Sequence, residues 1–265
     1  MKIGIIGLGV VGDAINVGMQ LLGHDVVGHD IRYLTSIESI KNTELCFICV
    51  PTPSLQNGKC DVSIVEGVVD ELDGINYNGL IVIKSTVAPG TTDDLNKKYP
   101  ARNMAFVPEF LRERCAVSDF TANHDVCIVG VYDKKSFDLV RKSHGHYPKI
   151  FTRVTPKEAE FCKYFNNVYN ATLVVFANSF FELCKASDVD YEKVKNAIIN
   201  RQHIDGNYLD CNKNFRGFGG GCLPKDTKAI ETLCNELGLK IDFFKCLLEE
   251  NSKYKMTIPK GMRKR

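Results

Sequence analysis

Short apolar runs alternate with segments of helical periodicity along the first 130 residues. The first run, KIGIIG, is followed by a glycine-rich turn and by AINVGMQLLG, whose apolar residues recur every three or four positions. Five more runs follow, namely DVVGHD, LCFICV, LIVIKS, MAFVP and DVCIVG. This alternation predicts an α/β fold in which residues 1–154 form a Rossmann-like, doubly wound parallel sheet covered by helices.

After Val154 the pattern changes to that of one long helix. Thr155 is suited to the N-cap, Pro156 to the first helical position, and Glu158 to the third position of a capping box. The helix is predicted to run to about residue 185, and most of its surface is apolar, as in a helix buried between domains or subunits. Residues 155–265 are therefore expected to form an all-helical central domain, with a homodimer formed through the 156–185 helix.

The turn after the first strand has the glycine spacing of a dinucleotide-binding motif. Gly7 permits a tight turn, Gly9 lets a pyrophosphate approach the backbone, and Gly12 lets the helix pack against the strand. Asp30 ends the second strand about 20 residues later, where a carboxylate binds the adenosine ribose, which favours NAD over NADP. Arg32, two residues after Asp30, keeps NADP open as the alternative cofactor. The predicted motif residues are Gly7, Gly9, Val10, Val11, Gly12 and Asp30.

Polar and proline residues follow three other predicted strands, at the carboxyl edge where ligands bind such sheets. Pro51 and Thr52 follow the third strand, Thr86 follows the fourth, and residues 108–113, PEFLRE, follow the fifth. Pro51, Thr52 and Thr86 are therefore candidate cofactor residues. Prolines and hydroxyl residues also end strands for purely local reasons, and for VPTP that interpretation stays open.

Three polar residues share one face of the long helix. Lys163, Asn167 and Asn170 are spaced by four and three residues, which predicts a polar seam facing a ligand. A lysine in a mostly apolar helix is also commonly a solvated side chain, and this alternative stays open.

The segment FRGFGGGCLPKD combines a glycine loop with the start of a helix. Pro224 suits the first helical turn, which places Cys222 at the helix N-terminus, where the dipole and free N–H groups favour a thiolate. The glycines between 217 and 221 let the backbone fold closely around a polar ligand. Cys222 is thus the candidate nucleophile.

Composition excludes several classes of protein. With 34 basic and 32 acidic side chains among 265 residues, the chain has no clustered positive field for nucleic acid, apart from its basic end. Eleven cysteines, odd in number and often within apolar runs, do not suggest a disulfide framework. Cys46 and Cys49 lie three apart in a predicted strand, so they point to opposite faces and do not suggest a metal site. Without a leader or a long apolar span, we expect a cytoplasmic protein that does not contact membranes.

Several motifs together resemble the UDP-glucose/GDP-mannose dehydrogenase family. They are GLGVVG, VPTP, KSTVAPGTT, VPEFLRE, EAEFCKYFNN and GFGGGCLPKD, in the family's order and over nearly the whole chain. The resemblance implies a four-electron oxidation of the sugar C6 hydroxyl of a nucleotide sugar, most simply UDP-glucose, with two NAD per sugar.

The resemblance also implies roles for individual residues. Cys222 would form a thiohemiacetal and then a thioester, while Lys163 and Asn167 would stabilise the oxyanion. Asp226 and Thr86 would hold a water molecule, and Glu113, also near the cofactor, would be the base for thioester hydrolysis. The implied sugar-binding residues are Glu109, Phe110, Leu111, Lys163, Asn167, Phe218, Gly219, Gly220 and Gly221.

Two departures from the family keep alternatives open. Family members normally continue into a second Rossmann-like domain that holds the nucleotide, and this sequence, which stops at Arg265, is expected to lack it. The region between Asp30 and the third strand is also short. A single-hydride dehydrogenase of the β-hydroxyacid or 6-phosphogluconate type remains an alternative, as does a catalytically weak NAD-binding module.

Overall fold

A seven-stranded sheet organises the first 154 residues in the computed structural model, which describes residues 1–255. Strands β1 to β5 run parallel, whereas β6 pairs antiparallel with β5 and parallel with β7. The spatial order is β2-β1-β3-β4-β5-β6-β7. The strands are β1 (Lys2–Ile6), β2 (Asp25–His29), β3 (Leu45–Ile48), β4 (Leu80–Ile83), β5 (Asn103–Phe106), β6 (Val126–Gly130) and β7 (Ile150–Val154).

The predicted fold class is confirmed, with two differences in the sheet. The sixth predicted strand is present but runs antiparallel to its neighbour β5, so the sheet is not parallel throughout. The seventh strand, β7, was not predicted, because its residues at the sheet edge are exposed or only half-buried and form no apolar run. Both differences lie at the far edge of the sheet from the glycine turn.

Helices cover both faces of the sheet. Along β3, Leu45 and Phe47 pack against one group of helices, and Cys46 and Ile48 against the other, because successive residues of a strand face opposite sides. The first face carries α1, α4 and α5, and the second carries α2, α3 and the start of α6. These helices are α1 (Val10–Leu21), α2 (Ser63–Gly74), α3 (Thr91–Lys98), α4 (Ala116–Thr121), α5 (Lys134–His144) and α6 (Pro156–Ala186).

The predicted long helix is confirmed as α6. The backbone N–H of Thr155 donates to the Glu158 carboxylate at 2.7 Å, and the Glu158 N–H donates to the Thr155 hydroxyl at 3.4 Å. These two bonds form the predicted capping box. Within residues 1–255, the helices after α6 are α7 (Tyr191–Ile198), α8 (Leu223–Glu236) and α9 (Phe243–Ser252), and none of the helices in that range could cross a membrane.

The chain divides into two compact units. The first contains residues 1–55 and 60–163, and the second contains residues 56–59 and those from Tyr164 onward. The division falls inside α6, later than the predicted boundary at 154/155. The start of α6 belongs to the first unit because Ala159 is part of its core and the Glu160 carboxylate accepts the Gly90 and Thr92 N–H groups.

Candidate functional site

The glycine turn between β1 and α1 has the geometry that the sequence predicts. Gly7 has φ +89°, and a Cβ there would lie 2.6 Å from the backbone oxygen of Cys49. At Gly12 a Cβ would lie 1.9 Å from the Gly7 oxygen, so only glycine lets α1 pack this close to the turn.

The start of α1 can receive an anion. No side chain caps the helix, and the position of a Cβ at Gly9 has no neighbouring atom within 4 Å. The first N–H groups of a helix lack partners within the helix and carry its positive dipole end. The residues at this turn therefore fit the pyrophosphate of a dinucleotide.

Asp30 lies at the end of β2, as predicted, but its carboxylate is already paired. Arg32 donates to it from its backbone N–H, from Nε and from Nη2 at 2.8 to 2.9 Å, and the Leu8 N–H donates at 2.7 Å. The hydrogen bonds and charge of Arg32 hold the pKa of the Asp30 carboxyl well below its usual range. Asp30, the predicted acceptor for the ribose, is thus paired with Arg32, the residue that kept NADP open as an alternative to NAD.

The ends of β3 and β4 bring two other predicted cofactor residues together. The thiol of Cys60 lies 3.3 Å from the carbonyl oxygen of Thr86 and 4.0 Å from that of Thr52. Thr52 and Thr86 are half-buried, whereas Pro51 is exposed. No sequence motif identifies Cys60 as a residue of this site. It lies here because the loop after β3 returns to the carboxyl edge of the sheet.

Glu109 and Lys163 form a buried ion pair at the end of β5. The Lys163 ammonium donates to the Glu109 carboxylate at 2.9 Å and to its backbone carbonyl at 2.6 Å, and the two side chains are 5% and 12% exposed. The Leu111 N–H donates to the other carboxylate oxygen at 2.7 Å. Burial raises the pKa of Glu109, but Lys163 and the Leu111 amide outweigh it, so the pKa lies below its usual range. The lysine is therefore not a solvated side chain.

Two more groups lie along this edge. The ring of Phe110 lies 5.7 Å from the Lys163 ammonium, within the range of a cation–π contact. Glu113 lies in a short 3-10 helix, Glu113–Cys115, and its buried Oε1 atom has no hydrogen-bond partner among the described residues. A buried carboxylate oxygen without a donor is costly unless a ligand or water completes it.

Lys84, at the end of β4, was not identified from the sequence. It is almost fully buried and donates to the backbone carbonyl of Pro108 at 3.3 Å. Burial lowers the pKa of its ammonium. The sequence does show a lysine directly after the apolar run LIVI. A lysine at the end of a strand is usually solvated, so this position alone did not predict a buried residue.

In the second unit, the side chains of Asn167 and Asp226 are hydrogen-bonded to each other. The Asn167 amide donates to one oxygen of Asp226 at 2.6 Å, and the Lys225 ammonium lies 2.6 Å from the other. Asp226 is 1% exposed, so its charge is satisfied by these two partners and not by water. The predicted cooperation of Asp226 with Thr86 stays a prediction.

Cys222 occupies the N-cap of α8 and is exposed. No side chain caps this helix, Pro224 lies in its first turn, and the Asp226 N–H donates to the Cys222 carbonyl at 2.9 Å. An exposed thiol at a helix N-terminus is placed where the dipole stabilises negative charge. Gly220 and Gly221, directly before it, are also exposed.

Two asparagine side chains anchor the start of the glycine loop. The Asn251 side chain accepts the Phe218 N–H at 2.8 Å and donates to the Phe218 carbonyl at 3.0 Å. Asn178 accepts from the Gly217 N–H at 3.2 Å. Phe218 is buried, whereas Gly220 and Gly221 are exposed, so these bonds hold the buried start of the loop. Neither asparagine was predicted, because both lie far along the chain from the loop.

We expect Asn251→Ala to loosen this loop. Loss of both side-chain bonds to Phe218 should speed amide hydrogen exchange at that residue about tenfold, the effect of roughly 1.4 kcal/mol of lost protection. Exchange is measured by mass spectrometry on a peptide spanning residues 216–222. Asn235→Ala, at an exposed asparagine of α8, is the matched control. Equal exchange in both variants would contradict the anchoring role.

Comparison with known proteins agrees with this geometry. Residues 32–147 match the family model for the NAD binding domain of the UDP-glucose/GDP-mannose dehydrogenase family, and residues 157–253 match its central domain. The GDP-mannose 6-dehydrogenase of Pseudomonas syringae pv. tomato is 30% identical over 300 residues, covering 95% of this chain and 68% of that protein. The UDP-glucose 6-dehydrogenase of Rickettsia bellii is 34% identical over 278 residues, covering 88% and 62%.

A solved structure gives the same result. A UDP-glucose dehydrogenase from the hyperthermophilic archaeon Pyrobaculum islandicum superposes with a TM-score of 0.86 at 30% identity, covering 95% of this chain and 68% of that one. The chain thus spans about two thirds of the length of these relatives. Identity and coverage of this extent show that the chain belongs to the UDP-glucose/GDP-mannose dehydrogenase family, whose cofactor is NAD.

Proposed function

We propose that this protein oxidises the sugar C6 hydroxyl of a nucleotide sugar, UDP-glucose in the first place, to a carboxylate. The observation that carries the proposal is the exposed Cys222 at the start of α8, directly after the exposed glycines 220 and 221. Relatives named UDP-glucose and GDP-mannose 6-dehydrogenases support the reaction class. A dehydrogenase that removes a single hydride needs no such nucleophile.

The chemistry balances as two oxidations and one hydrolysis. NAD, when bound, accepts one hydride in each oxidation. The first oxidation converts the alcohol to an aldehyde, and the Cys222 thiolate then attacks the aldehyde carbon to form a C–S bond. The thiohemiacetal loses its hydride in the second oxidation and becomes a thioester. Water breaks the C–S bond, which releases the carboxylate and returns the thiol.

The surrounding residues supply charge and proton transfer. Lys163, fixed by Glu109, and Asn167 stabilise the oxyanion that forms when the thiolate adds. Glu113 accepts a proton from the attacking water, since its unpaired carboxylate oxygen can do so. Asp226 and Thr86 position a water molecule. Phe110, Leu111 and residues 218–221 contact the hexose.

The stoichiometry of NADH tests the proposal against its alternatives. Purified protein is given NAD with UDP-glucose or GDP-mannose, and NADH and product are counted. Two NADH per sugar support the proposal. One NADH per product would favour a dehydrogenase of the 6-phosphogluconate type, and NAD binding without turnover would favour a binding module.

We also propose that the protein is a homodimer formed through α6. Large apolar side chains remain exposed at steps of four, four, seven, four and three residues, which places them on one face of the helix. A stripe of this kind is more apolar than an ordinary protein surface and fits the same stripe of a second copy about a twofold axis. The stripe consists of Phe161, Phe165, Tyr169, Phe176, Phe180 and Leu183.

Charges placed on the stripe should yield monomers. We expect the double substitution Phe165→Asp/Phe176→Asp to shift the mass measured by light scattering from dimer to monomer, because each charge would be buried unpaired in the interface. Leu237→Asp, at an exposed leucine that ends α8, is the matched control. A wild-type protein that is monomeric at micromolar concentration would refute the proposal. We also propose a cytoplasmic location, because the eleven cysteines are odd in number and often lie within apolar runs, unlike those of a small secreted disulfide scaffold.

A further inference from the structure

The carboxylate that ends β2 has no unused acceptor site. Oδ1 of Asp30 accepts from the backbone N–H of Arg32 at 2.9 Å and from Nε of Arg32 at 2.9 Å. Oδ2 accepts from the Leu8 N–H at 2.7 Å and from Nη2 of Arg32 at 2.8 Å. A carboxylate offers about four lone-pair sites, and here all four are occupied.

This pairing changes what the site offers to a ribose. An acid at this position selects NAD in two ways: it accepts a hydrogen bond from the 2′-hydroxyl, and its charge repels a 2′-phosphate. Asp30 does neither while Arg32 is bound, because its acceptors are filled and its charge is compensated by the adjacent guanidinium. The basis for excluding NADP is therefore missing.

Arg32 is also held in a position to bind an anion itself. Its Nη2 atom donates to the Leu8 carbonyl at 2.6 Å as well as to Asp30, which ties the guanidinium to the glycine turn. The two N–H groups of Nη1 have no partner among the described residues, and the side chain is 55% exposed. A guanidinium fixed by an acid, with two donors free, loses little conformational entropy when it binds a phosphate.

We propose that Arg32 gives this site a second cofactor, NADP, by binding the 2′-phosphate of its adenosine ribose. The ligand class is a 2′-phosphorylated dinucleotide, and the recognising group is the Nη1 edge of Arg32, supported from behind by Asp30. NAD still binds, because the pyrophosphate site at α1 does not depend on Arg32.

Binding of NADH and NADPH to the whole chain tests this without any sugar substrate. Dissociation constants are measured by the fluorescence of the reduced nucleotides and by calorimetry. For the wild type we expect the constant for NADPH to lie within about tenfold of that for NADH. Arg32→Gln should weaken NADPH about tenfold or more, the usual effect of losing a hydrogen bond between charged groups. It should not weaken NADH, because the acceptors of Asp30 that Arg32 occupies are then open to the ribose hydroxyl.

Two further variants separate recognition from general charge and from misfolding. Lys41→Gln removes one positive charge from an exposed site in the same unit and should change the NADPH-to-NADH ratio less than twofold. Arg32→Lys keeps the charge and the pairing with Asp30, so it should restore part of the NADPH affinity. A ratio that moves less than threefold in Arg32→Gln, while NADH still binds, would overturn the proposal. Because no sugar is present, failure of the proposed oxidation would not affect this result.

Discussion

Cys222→Ser will stop the reaction after the first oxidation. A serine hydroxyl keeps the size and position of the thiol but is a far weaker nucleophile at neutral pH, because it is almost never ionised. We expect carboxylate formation to fall about a thousandfold or more, as when the nucleophile of a covalent mechanism is lost. The measurement counts NADH and carboxylate per enzyme in a single turnover.

The chain offers its own control for this substitution. Cys246 is the other exposed cysteine, and Cys246→Ser should leave turnover unchanged. The aldehyde, trapped with hydroxylamine, should appear with Cys222→Ser and be absent with the control. If Cys222→Ser still produced two NADH per sugar at more than about a tenth of the wild-type rate, covalent catalysis by this thiol would be refuted.

Lys163→Met will damage both stability and turnover. The substitution keeps the length of the side chain but leaves the buried Glu109 carboxylate without its cation. Breaking a buried pair from one side costs about 3–5 kcal/mol of unfolding free energy. Loss of the fixed positive charge should also lower turnover by about a hundredfold to a thousandfold, the usual effect of removing an oxyanion donor.

A double substitution separates these two effects. Lys163→Met/Glu109→Gln removes both charges, so urea denaturation should show most of the lost stability restored, while turnover stays low. Lys157→Met, at an exposed lysine of α6, should change neither quantity by more than a few tenths of a kcal/mol or twofold. Turnover that recovers together with stability would show that Lys163 acts only by holding the fold.

The Glu109 pKa gives the expected pH dependence of these variants. In the wild type the pKa of Glu109 is lowered in the folded state, so the pair stabilises the protein above the ordinary carboxyl pKa and is lost in acid. In Lys163→Met burial, the amide hydrogen bond and the charge of Lys84 remain, and burial, the largest of these effects, raises the pKa of Glu109. That variant should therefore regain stability relative to the wild type as the pH falls towards 4.

What the sequence by itself determined was local. The glycine turn, the strands β1 to β6 and the capping box of α6 depend on residues within a few positions of one another, and each was read correctly. The position of Cys222 at a helix start is of the same kind, since Pro224 and the preceding glycines mark it. Spacing alone also placed Lys163 and Asn167 on one helix face.

Only the tertiary structure decided which of these groups are free to act. Lys163 pairs with Glu109, Phe218 with Asn251 and Asp226 with Asn167 across separations of 33 to 59 residues, and no local pattern records such pairs. The antiparallel direction of β6 and the buried Lys84 were missed for the same reason. Asp30 is the instructive case: its partner Arg32 is only two residues away, but whether the two side chains meet depends on how the chain turns after β2. A side chain's type and position are local properties, whereas its burial and pairing depend on contacts that exist only once distant segments have packed.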